Sequence, residues 1–336
     1  MIKHPQQTIR ALDLFAGVGG SSWGAQMAGV RIVGAVDVWH LAEKSYLDNL
    51  NEVKFYRCKC ESLSPEKVGQ EVGPIQMLIA SPECTSHTCA KGGAERSELS
   101  RKTALQVIRF AQIMKPRWII VENVIQMRTW HRYREWIFKL ETLGYNTRQQ
   151  ILNSADFGVP QSRRRLFVIC DMEAAPREII PVRSFKSPTV CDIIDSNGHY
   201  PFSALKKQGR AESTLQRAER AITTLGSKSP FLLVYYGTDG AGGWQRLDMP
   251  LRTITTLDRF AYVRLGKDGQ YEMRMLQVPE LKKAMGFPES YRLEHGTRRE
   301  RIKLLGNAVC PPVMKAIIET ITKTNTQKTQ EEGVRD

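Results

Sequence analysis

Residues 10–24 read Arg-Ala-Leu-Asp-Leu-Phe-Ala-Gly-Val-Gly-Gly-Ser-Ser-Trp-Gly, and the remainder of the chain falls into place around them. Leu12, Leu14 and Phe15 make the short apolar run expected of a buried strand. Gly17, Gly19 and Gly20 follow, where a tight turn must open a helix and let backbone approach a ligand closely. A second apolar run, Val30 to Val36, ends at Asp37, about 20 residues after Gly17, where an acidic side chain can accept from the hydroxyls of a ribose. Strand, glycine loop, helix, strand and acid describe a nucleoside site. A dinucleotide fingerprint wants its third glycine where Ser22 stands, which weakens an NAD reading. A glycine turn used only to pack strand against helix is the plainer alternative.

Downstream, Leu41, Tyr46, Leu47 and Leu50 give 39–50 the spacing of a helix, and 103–114 reads as another. Apolar runs at 75–80 and 118–121 alternate with these helices. The pattern predicts an α/β fold: a Rossmann-like, largely parallel sheet with helices on both faces and ligands beyond the carboxyl ends of its strands. Those ends carry the glycine loop, Asp37, Ser81-Pro82-Glu83-Cys84 and Glu122-Asn123-Val124. Two more strands are expected at 150–153 and 165–170. If the intervening Gln161-Ser162-Arg163-Arg164-Arg165 is extended, Arg163 and Arg165 point one way and Arg164 the other.

After about Pro181 the composition shifts to Lys, Arg, Ser and Gly, with helical spacing in 204–225 and strand-like runs at 231–236, 251–257 and 260–265. This is a second, smaller, irregular and mostly β domain. Helices return at 278–285 and from 306–309 to about Ile321, and 323–336 reads as a polar tail.

Composition narrows the partners. The chain of 336 residues carries a formal net charge of +14. Such an excess attracts polyanions, nucleic acid first among them. Seven cysteines without regular spacing argue against a secreted disulfide framework. Cys58 and Cys60 are too close for a usual zinc pair, so no metal site is expected. Residues 1–7 lack a signal core, and no run reaches the ~18 apolar residues of a membrane span. The expectation is a cytoplasmic protein with no membrane contact.

Cys84, at a strand end and near His87, is a candidate nucleophile once deprotonated; an isolated cysteine is more commonly a buried structural thiol. Glu122, at the end of the next strand, can supply a proton or a hydrogen bond. Arg163 and Arg165 can neutralise phosphate, or hold that carboxyl group and a substrate carbonyl.

Six blocks in order, Asp13-Leu14-Phe15-Ala16-Gly17-Val18-Gly19-Gly20, the Cys84 loop, Glu122-Asn123-Val124, Gln161-x-Arg163-x-Arg165, Arg252-Thr253-Ile254-Thr255-Thr256 and Gly306-Asn307-Ala308-Val309, resemble the motif set of the C5 cytosine-specific DNA methyltransferases. The likeness runs from Leu12 to about Met314. It implies that the cofactor is S-adenosylmethionine rather than NAD. Phe15 would stack on or line the adenine pocket, Gly17 to Gly20 would approach the methionine part, and Asp37 would take the ribose. Leu14, Ala16, Val38, Glu61 and Ser81 would complete that side, with Asn307, Ala308 and Val309 folding back from the C-terminal segment. The catalytic domain would then be discontinuous, 1–183 with 299–322, around a target-recognition domain at 184–298.

The resemblance further implies that Cys84 adds to C6 of a cytosine flipped out of double-stranded DNA, with Glu122, Arg163 and Arg165 as its catalytic partners. The protein would act as a monomer of restriction-modification or phage type, with a cognate restriction endonuclease as a possible partner. Basic residues in 206–220, such as Arg210 and Arg217, would contact phosphate. Two alternatives stand beside it: the same methylation on tRNA, and a catalytically silent nucleic-acid-binding relative. One departure is clear. The family usually has proline immediately before the nucleophile, whereas here Glu83 intervenes and would raise the thiol's pKa by like charge.

Overall fold

A computed structural model describes residues 8–82, 95–181, 188–196, 198–236 and 242–323, with main chain alone for 95–102. The first half contains β1 (Arg10–Leu14), α1 (Gly20–Met27), β2 (Arg31–Asp37), α2 (His40–Leu47), β3 (Lys54–Arg57), α3 (Pro65–Val72), β4 (Met77–Ala80), α4 (Glu95–Met114), β5 (Trp118–Asn123), α5 (Tyr133–Thr142), β6 (Asn146–Asn153), β7 (Gln161–Ser162) and β8 (Arg164–Asp171). The second contains β9 (Ser203–Ala204), α6 (Glu212–Leu225), β10 (Phe231–Val234), β11 (Trp244–Arg246), β12 (Leu251–Arg252), β13 (Phe260–Leu265), β14 (Tyr271–Met275), α7 (Val278–Ala284), α8 (Arg298–Asn307) and α9 (Pro311–Thr322).

Seven strands form the main sheet in the order β3-β2-β1-β4-β5-β8-β6. Only β8 is reversed, running against both β5 and β6. Alternation along the strands fills two cores. Ala11, Ile32, Ala35, Met77, Ile79 and Ile120 face the side of α1, α2, α8 and α9. Leu12, Leu14, Val36, Leu78, Ala80 and Val121 face the side of α3, α4 and α5. The order turns outward in both directions from β1 and β4, so the crevice for a ligand opens at their carboxyl ends.

The second sheet has five strands, β11-β10-β13-β14-β9, antiparallel throughout. One face buries Phe231, Leu233, Ala261 and Val263 against Ala218 and Ala221 of α6. The other face, through Leu232, Val234 and Phe260, joins the core beneath the main sheet. β12 and β7 pair in parallel and tie the two halves together.

The strand expected over 251–257 is real only at Leu251–Arg252. Beyond it the backbone pairs with side chains instead of a neighbouring strand: the Ile254 amide donates to Gln161 Oε1 at 2.8 Å, and the Leu257 amide to Thr255 Oγ1 at 3.3 Å.

Residues 278–298 pack on the main sheet's side: Phe287, Tyr291 and Leu293 lie in its core, the Tyr291 ring meets Trp23 edge-on at 5.1 Å, and Asn49 brackets Arg292 by hydrogen bonds to its amide and carbonyl. The apolar aromatics of this stretch find their burial partners around the glycine loop. The expectation of no span-length apolar run also needs amendment. A window within 298–322 has mean hydropathy 1.2, but it is 67% buried inside the protein, as for a core helix, and α8 and α9 are separate helices.

Candidate active site and cofactor cleft

At the end of β1 the chain turns through three left-handed positions, Phe15 at φ 59°, Gly17 at 52° and Gly19 at 83°. A bulky side chain rarely adopts this backbone, and such residues cluster at functional sites. The turn is held from below by Asp37, whose Oδ2 accepts from the Gly17 amide and Oδ1 from the Trp39 amide, both at 2.9 Å. Burial pushes the Asp37 carboxyl upward, and these amides oppose the shift.

The loop glycines divide by what surrounds them. A side chain on Gly17 would meet nothing within 4 Å, so here the backbone faces open space. On Gly19 it would meet the Tyr46 ring at 2.9 Å, and on Gly20 the Val309 carbonyl at 2.1 Å. At Gly19 and Gly20 a side chain is excluded by α2 and the C-terminal segment, which press against them. Phe15 is half-buried and Ala16 is buried beside the loop. Leu14 is wholly in the core, leaving its carbonyl, which accepts from the Ser81 amide at 3.1 Å.

Val38 is 58% exposed, an apolar surface beside Asp37. Glu61 is exposed on a short 3-10 turn, Cys60–Ser62, whose Cys60 is buried. Ala308 and Val309 are buried, whereas Asn307 is exposed at the end of α8. The open backbone at Gly17, the Asp37 carboxyl and the apolar Val38 fit the polar and apolar parts of a nucleoside cofactor.

Across the crevice, Glu122 closes β5 and Arg165 lies near the start of β8, with Arg165 Nε 3.2 Å from Glu122 Oε1. Burial raises the Glu122 pKa, while Arg165 and Arg163 oppose that rise. Asn123 Nδ2 donates to the Pro82 carbonyl at 3.1 Å and so ties the end of β4 to the end of β5. Cys84 lies outside the described residues, as do Glu83, His87 and Cys89.

Arg163 and Arg165 both line a small cavity with Glu122, Ser154, Val309 and Cys310, as alternation predicted, and Arg164 is exposed. Their tasks differ. Arg163 donates through Nη1 to the Ile254 carbonyl at 2.9 Å and through Nη2 to the Gly306 carbonyl at 2.8 Å. Its head group thereby joins two motifs. A side chain on Gly306 would come within 2.4 Å of Thr255, so the two backbones touch where Arg163 joins them.

Sequence reasoning assigned no role to several members. Gln161 accepts from the Ile254 amide and donates to the Ala284 carbonyl, and Tyr291 donates to the Val18 carbonyl. Asp13 and Ser22 bond beneath the loop at 2.6 Å. A polar residue inside an apolar run was the available signal for Asp13. Cys310, a buried thiol pushed up to about 11 by burial, had none.

The basic stretch of the second domain is largely engaged internally. Arg210 donates to the Leu205 and Ala204 carbonyls, Arg220 to the Gly242 carbonyl, and Arg217 stacks over Tyr235.

Comparison with known proteins agrees with this geometry. The family model for C-5 cytosine-specific DNA methylase matches residues 9–323. Type II methyltransferase M1.HphI of Haemophilus parahaemolyticus is 26% identical over 347 residues, covering 96% of this chain and 88% of that protein. Among solved structures, the Entamoeba histolytica methyltransferase EhMeth superposes with a TM-score of 0.70 at 17% identity, over 94% of this chain and 98% of the other. A Spodoptera frugiperda DNMT2 variant does so with a TM-score of 0.70 at 17% identity, over 94% and 100%. The chain belongs to the C-5 cytosine-specific DNA methylase family, and S-adenosylmethionine is its cofactor.

Proposed function

We propose that the protein methylates C5 of a cytosine within a specific site in duplex DNA, using Cys84 as nucleophile. The observation that carries this reading is the Glu122–Arg165 pair at the crevice, beside a Pro82 carbonyl fixed by Asn123. Cys84 follows Pro82 by two residues, a reach of at most ~7 Å. Bound at the glycine loop, S-adenosylmethionine supplies an electrophilic methyl group. Phe15, Gly17, Asp37 and Val38 hold it there, with Ala308 and Val309 closing the loop's far side.

C5 of cytosine is a weak nucleophile until electron density is pushed into the ring. The Cys84 thiolate adds at C6. Glu122, whose hold on a proton burial strengthens, donates to N3 when protonated and accepts from the exocyclic amino group, so the ring gains the density that C5 needs. Arg165 holds Glu122 in place and offers its remaining donors to the base carbonyl. Loss of the C5 proton then restores the ring double bond and expels the thiolate. Arg163 is a positioning residue, keeping the 254 and 306 segments in register. None of this is reachable inside a stacked duplex, so the base is flipped into the crevice. The antiparallel sheet and its loops, within about 188–276, read the sequence. We place the protein in the cytoplasm, acting as a monomer with or without a cognate endonuclease.

The same chemistry on RNA is the second reading, and the likeness to a DNMT2 structure favours it. Bisulfite sequencing of DNA from cells expressing the protein, beside methylation assays on purified tRNA, decides between them. Methylated cytosines in one short DNA motif support the proposal. Methyl transfer confined to tRNA overturns it, and no transfer to either supports the silent relative.

A further inference from the structure

Beneath the cofactor loop lies a carboxyl group that the reaction does not use. Asp13, in β1, is fully buried. Its Oδ2 accepts from Ser22 Oγ at 2.6 Å, and that hydroxyl in turn accepts from the Tyr46 phenol at 2.7 Å. Its Oδ1 is buried with no hydrogen-bond partner among the described residues. The groups that face this network are Ser22 from α1, Asp37 from β2, Tyr46 from α2 and Tyr291 from the segment before α8. None of them is basic. A buried carboxylate with one oxygen unsatisfied and no cation beside it is costly. Burial accordingly pushes Asp13 up to about 7, with Asp37 adding to the rise and Ser22 opposing it. The neighbouring Asp37 in turn holds the Gly17 amide, where the loop opens to space.

We infer that Asp13 is a charge-selective positioning residue of the cofactor site, whose ionised form favours the sulfonium-bearing methyl donor over its demethylated product. The donor carries one positive charge that S-adenosylhomocysteine lacks. In a weakly polar surrounding a carboxylate senses that difference over several ångströms. Binding of the donor therefore stabilises ionised Asp13 and expels a proton near neutral pH. Methyl transfer removes the charge, Asp13 regains its proton, and the affinity gained from the charge is lost when product must leave. The sign follows by linkage: preference for donor over product is small where Asp13 is protonated in both complexes, rises with pH, and levels off above about 7.

Isothermal titration of the full-length protein with S-adenosylmethionine and S-adenosylhomocysteine tests this, between about pH 5 and pH 9 in buffers of different ionisation enthalpy. The expected result is a several-fold rise in the donor-to-product affinity ratio with pH, and proton release on donor binding that exceeds release on product binding. Asp13→Asn should bind both ligands with a pH-independent ratio and equal proton counts. Ser22→Ala keeps the carboxyl but removes the hydrogen bond that lowers its pKa, so the midpoint should move to higher pH. A merely structural role would not move that midpoint. A ratio independent of pH in the native protein overturns the inference. So does a pH dependence that survives in Asp13→Asn, or a midpoint unmoved in Ser22→Ala; the native protein and Ser22→Ala decide the matter if Asp13→Asn does not fold.

Discussion

The two sheets of this protein handle their polar groups in opposite ways. At the carboxyl ends of β1, β2, β4 and β5, polar groups are held but not exhausted: Asp37 grips two amides yet borders open space, and Glu122 is braced by Arg165 at a crevice. In the second sheet the conspicuous arginines are engaged within the protein, Arg210 on the Ala204 and Leu205 carbonyls and Arg274 on Glu280 of α7 in a fully buried pair. Net charge thus favours a polyanionic partner without indicating where it would lie. Strand ends in an open parallel sheet show where chemistry can occur, because backbone stops there while side chains remain organised.

Substitutions at the two kinds of position should separate cleanly. The largest effect on turnover after loss of the nucleophile is expected at Glu122. Glu122→Gln should lower kcat by about 10²–10⁴-fold while thermal unfolding changes little, because a general acid–base group is lost and the volume is kept. Equal losses of kcat and stability would mean that Glu122 is chiefly structural. Arg163→Ala should act the other way, leaving two buried carbonyls without donors at a cost of about 2–5 kcal/mol in urea unfolding. Arg163→Lys should recover little, since one ammonium cannot replace a planar fork between two carbonyls.

Asp13 gives the pH counterpart. Its folded form keeps a proton to about 7, whereas the unfolded chain releases it near the ordinary value of 3.8. Stability of the ligand-free protein should therefore fall as pH rises through that window, by at most ~1.4 kcal/mol per pH unit from this group. Asp13→Asn should remove that component.

Smaller effects sharpen the contrast within the glycine loop. Asp37→Ala should weaken S-adenosylmethionine binding by about 1.5–3 kcal/mol in titration calorimetry. Gly20→Ala forces a methyl against the Val309 carbonyl and should cost ~1–3 kcal/mol of stability. Gly17→Ala has room for its methyl but strains a left-handed backbone, so it should cost about 1–2 kcal/mol of stability and weaken cofactor binding as well. In the second sheet, Arg210→Ala should leave the salt dependence of nucleic-acid affinity unchanged, because its donors are already engaged by Leu205 and Ala204. A flattened slope would return that residue to the binding surface.

Much of the main sheet was legible because its strands are short apolar runs closed by unusual residues. β1, β2, β4 and β5 were found by that pattern, and β13 was found at its observed bounds. β3 was not, because Lys54 and Arg57 face solvent at the sheet edge and leave no apolar signature. α5 was overlooked although Tyr133, Trp136, Ile137 and Leu140 have helical spacing and are all buried. What no local pattern could supply were the long-range contacts: Gln161 with Ile254, Arg163 with Gly306, and Tyr291 with Val18. Each joins residues far apart in sequence, and each is satisfied only once both segments have packed. The same cause hid the packing of 278–298, since nothing within that stretch announces that its aromatics pack on the glycine loop.

The central claim is that Cys84 attacks a cytosine held by Glu122, and covalent trapping tests it most directly. Duplex DNA carrying 5-fluorocytosine at the target position, supplied with S-adenosylmethionine, can accept the methyl group but has no proton to lose at C5. The account predicts a stable protein–DNA adduct that peptide mapping places on Cys84. The adduct should be absent in Cys84→Ser and retained in Cys89→Ser. An adduct on another cysteine, or trapping that survives Cys84→Ser, would contradict it.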